Sequence, residues 1–173
     1  MLRLKSKISV EALVDISPDA LKKRSDQLGG VKHQFADWRE MFAKVGNDID
    51  AVDICLPHHL HAPAILDACA AGKHVLCEKP MCVSLAEADQ IAAAVKRAGV
   101  TYMSAHNQLF MPVVQEAKKR IDAGVIGDVR FIRSQDCFRA GGPTGNPNWG
   151  WRASSPRRAA ANSSTPATTR ATA

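Results

Sequence analysis

The side chain best placed for chemistry in this sequence is Lys79, in Glu78-Lys79-Pro80, directly after the short apolar run His74–Cys77. An ordinary lysine is a solvated surface charge. Here the preceding run suits a buried parallel strand, and a residue before proline is pushed into an extended conformation. Lys79 is therefore expected at the carboxyl end of a strand, the edge where open α/β sheets place their ligands. A lysine that loses part of its hydration becomes usable as a general base. A second cluster, His58, His59 and His61 with Cys55 nearby, invites a metal reading. It falls at a strand-to-helix corner, and no carboxylate is spaced to complete four converging ligands, so no metal is expected.

The elements that must carry these residues are legible as punctuation. Strands are expected over 8–15, 31–35, 51–56, 74–77 and 100–105. Between them lie helices: one opened by a Ser17 N-cap and Pro18, and one over 37–45 with Trp38, Met41 and Phe42 on one side. The next, over 61–71, buries Ile65, Leu66 and Cys69 and ends at Gly72, a glycine suited to a helix C′ position. Ser84 and Glu87 match a capping box for a helix whose apolar face is Leu85, Ala88, Ile91, Ala92 and Val95, closed by Gly99. His106 and Asn107 follow the last strand, again on the ligand side. Pro112 then starts a helix to 123, with Lys118, Lys119 and Arg120 near its negative end. An alternating strand is expected over 129–134. Strands alternating with helices predict an α/β fold built on a parallel sheet.

Composition narrows the classes. A chain of 173 residues suffices for one ordinary domain. No apolar run approaches the roughly 20 residues of a membrane helix, and no secretory signal is visible at the start, so a cytoplasmic protein without membrane partners is expected. The five cysteines lack C-x-x-C spacing and suit reduced, mostly buried thiols. The formal charge of +6 is misleading as a sign of nucleic acid. Through Cys137 there are 18 basic and 17 acidic residues, and the last 36 residues add 5 basic and no acidic ones. A body near neutrality has no phosphate-binding footprint, so no nucleic-acid partner is expected.

Two segments together carry a more specific signal. D-x-V-D-I-x-x-P-x-x-x-H over 50–61, followed by A-G-K-H-V-x-x-E-K-P over 71–80, resembles the Gfo/Idh/MocA family of NAD(P)-dependent oxidoreductases, which act on sugars, inositols and related polyols. The resemblance implies that Lys79 sits between the nicotinamide and a substrate hydroxyl and helps to polarise or deprotonate it. It places Glu78, Pro80, Pro57 and His61 at the nicotinamide end of the cofactor, with His61 opening a helix there. It also places Asp15 at the end of the second Rossmann strand, as acceptor for the adenosine ribose hydroxyls; the plain alternative is a turn or capping aspartate. No arginine follows Asp15 directly, which favours NAD over NADP. Substrate contacts are implied for His106, Asn107 and Arg152, the last within Trp149-Gly150-Trp151-Arg152. Many family members have an arginine where Leu109 stands here, which leaves a structural role open for His106 and Asn107.

The expected fold is thus an incomplete Rossmann-type doubly wound parallel sheet lacking its first strand, over 1–106. The start of an α+β substrate domain follows over 107–152, then a tail over 153–173. No G-x-G-x-x-G precedes residue 8. In the strand order 3-2-1-4-5-6, omitting strand one either draws strand two across or leaves the sheet split. The tail, rich in Ala, Thr, Ser and Arg, has almost nothing able to build a core. It reads as a natural disordered tail or as a shifted reading frame. From the third base of the Ala159 codon, synonymous codons permit Gly-Gly-Glu-Leu-Ile-Asp-Thr-Gly-Tyr-His-Ala, which fits the family's continuation L-x-D-x-G-x-H. The intact family form is expected to be a homo-oligomer taking a small sugar or polyol. This chain is expected to be weakly active or inactive, and the alternative is a non-catalytic module that pairs its exposed sheet edges with itself or an intact paralogue.

Overall fold

The computed structural model describes residues 7–133 and 135. These fall into two compact units, with the boundary after Ala105.

The first unit alternates strand and helix: β1 (Ala12–Val14), α1 (Pro18–Leu28), β2 (His33–Phe35), α2 (Trp38–Val45), β3 (Ala51–Ile54), α3 (His61–Ala70), β4 (His74–Cys77), α4 (Leu85–Ala98) and β5 (Tyr102–Ser104). All ladders are parallel, and they form two sheets, β1-β2 and β3-β4-β5, so the split alternative is the one realised. The strand expected over 8–15 is shorter. Its ladder with β2 runs only from Ala12↔His33 to Val14↔Phe35, and residues 8–11 find no partner to hold them extended.

Helix ends follow their local chemistry. Ser17 Oγ accepts from Ala20 N–H at 3.3 Å, with Pro18 in the first turn. Asp37 Oδ1 accepts from Arg39 N–H at 2.6 Å and opens α2. At α4, Ser84 Oγ accepts from Glu87 N–H at 3.2 Å, whereas the Glu87 carboxylate reaches Val83 N–H at 2.8 Å, one residue beyond the usual capping-box donor. The apolar face of α4 is also turned from the expected one. Ile91 and Ala94 are buried, while Leu85 and Ala92 are exposed, about 100–120° round the helix from Ile91.

The core lies where α3 and α4 cover one face of β3-β4-β5, with Ile54, Ile65, Ala68, Val75, Cys77 and Ile91 at its centre. The opposite face leaves Ala51, Asp53, Leu76 and Met103 exposed. Helix α2 packs on β1 and β2, while its Trp38 and Phe42 pack against the core of the three-stranded sheet. This helix therefore joins the two sheets into one unit.

In the second unit a 3₁₀ turn (Asn107–Phe110) leads into α5 (Pro112–Asp122). The strand expected over 129–134 is not formed across 129–133: the backbone there is irregular and Phe131 and Ile132 are exposed. An alternating apolar pattern becomes a strand only against a partner ladder, and none stands beside it among the described residues. Trp149, Arg152 and the tail lie outside the described residues.

Candidate active site at the carboxyl end of the sheet

The site is built by the way α3 hands the chain to β4. Gly72, at φ +69°, donates its N–H to Cys69 O at 3.0 Å, and Lys73 N–H donates to Ala68 O at 2.9 Å. This is a Schellman closure, which needs the left-handed conformation that glycine takes without strain. It turns the chain directly into β4, whose Val75 and Cys77 point into the core. Val75 N–H donates to Thr101 O at 2.8 Å, and Cys77 O accepts from Ala105 N–H at 2.8 Å, so β4 is pinned along its length.

At its exit, Glu78 N–H donates to Ile54 O at 2.9 Å, the last ladder bond between β3 and β4. Lys79 N–H then donates to the Glu78 carboxylate at 3.0 Å, and the Lys79–Pro80 peptide is cis. Lys79 is exposed, and among the described residues its ammonium has no ion pair or hydrogen bond. A lysine at the carboxyl edge of a parallel sheet can donate a hydrogen bond to a bound hydroxyl oxygen as the ammonium, or take the hydroxyl proton as the neutral amine.

His61, expected at the opening of a helix, is the first residue of α3. Its ring is fully buried. Nδ1 lies 2.7 Å from Pro80 O and Nε2 lies 2.8 Å from Leu56 O, so both nitrogens are engaged by the protein. The ring of His58 meets it edge-on at 5.7 Å between centroids. Pro57 opens a 3₁₀ turn, His58–Leu60, through Leu60 N–H donating to its carbonyl at 2.8 Å. Among the described residues no three His, Cys, Asp or Glu side chains converge as for a metal.

Asp53, which the sequence did not single out, and Cys55 stand at the same edge. Asp53 accepts from the Cys55 thiol at 3.8 Å. Although the residue is exposed, partial desolvation of its carboxyl pushes Asp53 above its usual range, opposed by the Cys55 contact and aided by the nearby Glu78 charge. Burial, then Asp53 and Glu78, push the Cys55 thiol up as well. Cys77, beneath the site, is pushed up to about 12 by burial and then by Cys55, Glu78 and Asp53, which keeps it a neutral core thiol.

Asp15 lies at the carboxyl end of β1, exposed, with its N–H on Phe35 O at 3.1 Å. Its Oδ1 accepts from Ser17 N–H at 2.8 Å, the local turn bond, and Oδ2 remains available. His106 and Asn107 open the second unit and are exposed.

A dinucleotide also needs a cradle for its pyrophosphate, usually a glycine-rich strand-to-helix turn. Among the described residues the positive-φ glycines are Gly29, Gly30, Gly72, Gly99, Gly124 and Gly127. They follow the ends of α1, α3, α4 and α5, and none leads from a strand into a helix. The described residues thus suit the two ends of such a cofactor and not its middle.

Comparison with known proteins agrees with this geometry. The pattern of the Gfo/Idh/MocA oxidoreductases, described as an oxidoreductase family with an NAD-binding Rossmann fold, matches residues 1–106. The levoglucosan dehydrogenase of Pseudarthrobacter phenanthrenivorans is 35% identical over 127 residues, covering 73% of this chain and 31% of that enzyme. The myo-inositol 2-dehydrogenase of Thermotoga maritima is 29% identical over 122 residues, covering 70% and 36%. The crystal structure of scyllo-inositol dehydrogenase from Lactobacillus casei, with bound NAD(H) and scyllo-inositol, superposes with a TM-score of 0.69 at 28% identity, covering 75% of this chain and 38% of that one. The chain spans about a third of the length of the curated relatives it matches. With strand exit, lysine and matched pattern in agreement, the chain belongs to the Gfo/Idh/MocA oxidoreductase family, with its NAD-binding Rossmann fold.

Proposed function

We propose that the protein in its intact form is a dehydrogenase of CH–OH groups on sugars, inositols or related polyols, with Lys79 as proton shuttle. The carrying observation is the exposed side chain of Lys79 at the exit of β4, without a side-chain partner among the described residues. When bound, NAD supplies the hydride acceptor at C4 of its nicotinamide. As the neutral amine, Lys79 takes the hydroxyl proton while the carbinol carbon is oxidised to a carbonyl, and as the resulting ammonium it returns that proton in the reverse direction. Glu78 and Pro80 flank that ammonium, the first holding the Lys79 amide and the second fixing the corner. Asp15 accepts the adenosine ribose hydroxyls through the oxygen its own turn leaves over, and the absence of an adjacent arginine favours NAD over NADP. His106 and Asn107 are substrate contacts in this reading; Arg152 enters no step, since it lies outside the described residues.

With no pyrophosphate cradle among the described residues, the 173-residue chain is expected to bind NAD more weakly than micromolar, with negligible turnover. A micromolar dissociation constant by calorimetry would contradict this. Weak binding is still readable by saturation-transfer NMR at millimolar NAD. The nicotinamide protons are expected to lose signal in Lys79→Met and the adenosine protons in Asp15→Ala. Unchanged spectra in both variants would defeat the assignment of these residues.

A second reading is favoured by one observation: β1 and β3 each pair on one side only. Open edges of parallel strands are templates for association. A monodisperse dimer by light scattering, with no transfer to NAD, favours a non-catalytic association module.

A further inference from the structure

The Glu78-Lys79-Pro80 corner leaves the sheet after a single ladder bond, Glu78 N–H to Ile54 O. Beyond it, the Lys79 amide is bonded only to the side chain of its own neighbour. Prolines at positions 57 and 80 remove backbone donors from both strand exits. The carbonyls of Leu56 and Pro80 are instead met by the two nitrogens of one side chain, His61, at 2.8 and 2.7 Å. That ring is completely buried, where an unpaired imidazole would be costly. A carbonyl oxygen only accepts, so the ring donates through whichever nitrogen carries a proton, and to both carbonyls when both do.

We propose that His61 is the positioning residue of Lys79: a buried crossbar joining the exit of β3 to the exit of β4, which sets where the Glu78-Lys79-Pro80 corner stands. In this role it acts on Lys79 through the carbonyl of the next residue, Pro80. Met81 and Cys82 add apolar packing against the core, but packing is non-directional, whereas a ring set between two strand-exit carbonyls, donating to the one its N–H faces, fixes an orientation. The inference rests on the assignment of Lys79 as proton shuttle for its functional meaning, and on geometry alone for the crossbar itself.

The test is amide hydrogen exchange on the full chain, with Val75 as reference, since its N–H bonds across to Thr101 O within the same strand. In His61→Phe, which keeps a ring and loses both nitrogens, Glu78 is expected to exchange about tenfold faster relative to Val75, the loss of one net hydrogen bond at the strand end. The methylated-lysine NMR signal of Lys79 is expected to move while that of Lys73 stays. In His61→Gly, added imidazole is expected to restore both readings. Equal acceleration at Glu78 and Val75, or no acceleration at either, would overturn the proposal. Should neither variant fold, couplings across the hydrogen bonds of the unmodified chain decide: a protonated ring nitrogen is expected to couple to the carbonyl it faces, and absence of coupling from both nitrogens overturns the crossbar. None of these readings uses NAD, so they stand or fall separately from the saturation-transfer test of Lys79.

Discussion

Trp38 Nε1 and Asp67 Oδ2, 29 residues apart in sequence, lie 2.8 Å apart and tie α2 to α3. The same carboxylate oxygen receives Arg39 Nε at 2.8 Å, and the guanidinium lies over the indole at 4.9 Å. Because α2 also packs on β1 and β2, this knot fastens the two-stranded sheet to the three-stranded one.

The two donors on Asp67 should differ in weight. Trp38 is partly buried and packs against the core, whereas the Arg39 side chain is 60% exposed and its ion pair is screened by water. In urea unfolding, Trp38→Phe is expected to lose about 1–2 kcal/mol and Arg39→Ala less than about 1 kcal/mol. An Arg39 loss equal to or above that of Trp38 would contradict the assignment of the indole as the principal tie.

Cys77 predicts an alkaline sensitivity. Its thiol is held neutral in the fold, up to about 12, against an ordinary 9.0. Between those values the unfolded chain gives up a proton that the native chain keeps, so the contribution is complete below 9.0 and lost progressively up to about 12. Stability in reducing buffer is expected to fall on going from pH 8 to pH 10, by up to about 1.4 kcal/mol per pH unit from this one group. Cys77→Ala lowers overall stability through the cavity it leaves, yet its stability should decline less steeply with pH. An unchanged slope would assign the effect to other groups.

On β5, the hydroxyls of Tyr102 and Ser104 are buried and approach one another, and among the described residues neither has a partner at full hydrogen-bond geometry. Burial also pushes the Tyr102 hydroxyl above its usual range. Removing an unsatisfied buried hydroxyl relieves its desolvation cost. Tyr102→Phe is therefore expected to range from neutral to about 1 kcal/mol more stable. A loss above about 1 kcal/mol would reveal a partner for that hydroxyl, such as a buried water.

Where the sequence speaks through local chemistry, it was readable. Ser17 with Pro18, Ser84 and Gly99 sit where their side chains and backbone preferences assign them. The bounds of β4 coincide with the apolar run before Glu78, because glycine and proline mark both sides. Strand lengths were less legible, since β1 extends only as far as β2 does, and a partner's end is not written in the strand itself. The exposure of Leu85 and the irregular 129–133 segment have the same cause: an apolar residue is buried only if another element covers it. His61 was visible as a histidine at a corner, but its ring faces two carbonyls, one of them 19 residues away, which no local pattern encodes. Asp67 offered no signal at all, being one acid in a helix until the fold brings Trp38 to it.

The glycine-led turn from α3 into β4 fixes a count. From Gly72, seven residues lead to Lys79, and along β4 the side chains alternate, Val75 and Cys77 inward, His74 and Leu76 outward. Strand parity makes that count unforgiving: one residue inserted or deleted in the run would send Val75 and Cys77 to water and the residues between them into the core. Lys79 would then leave the sheet from its opposite side. Length here is as much a part of the site as the lysine.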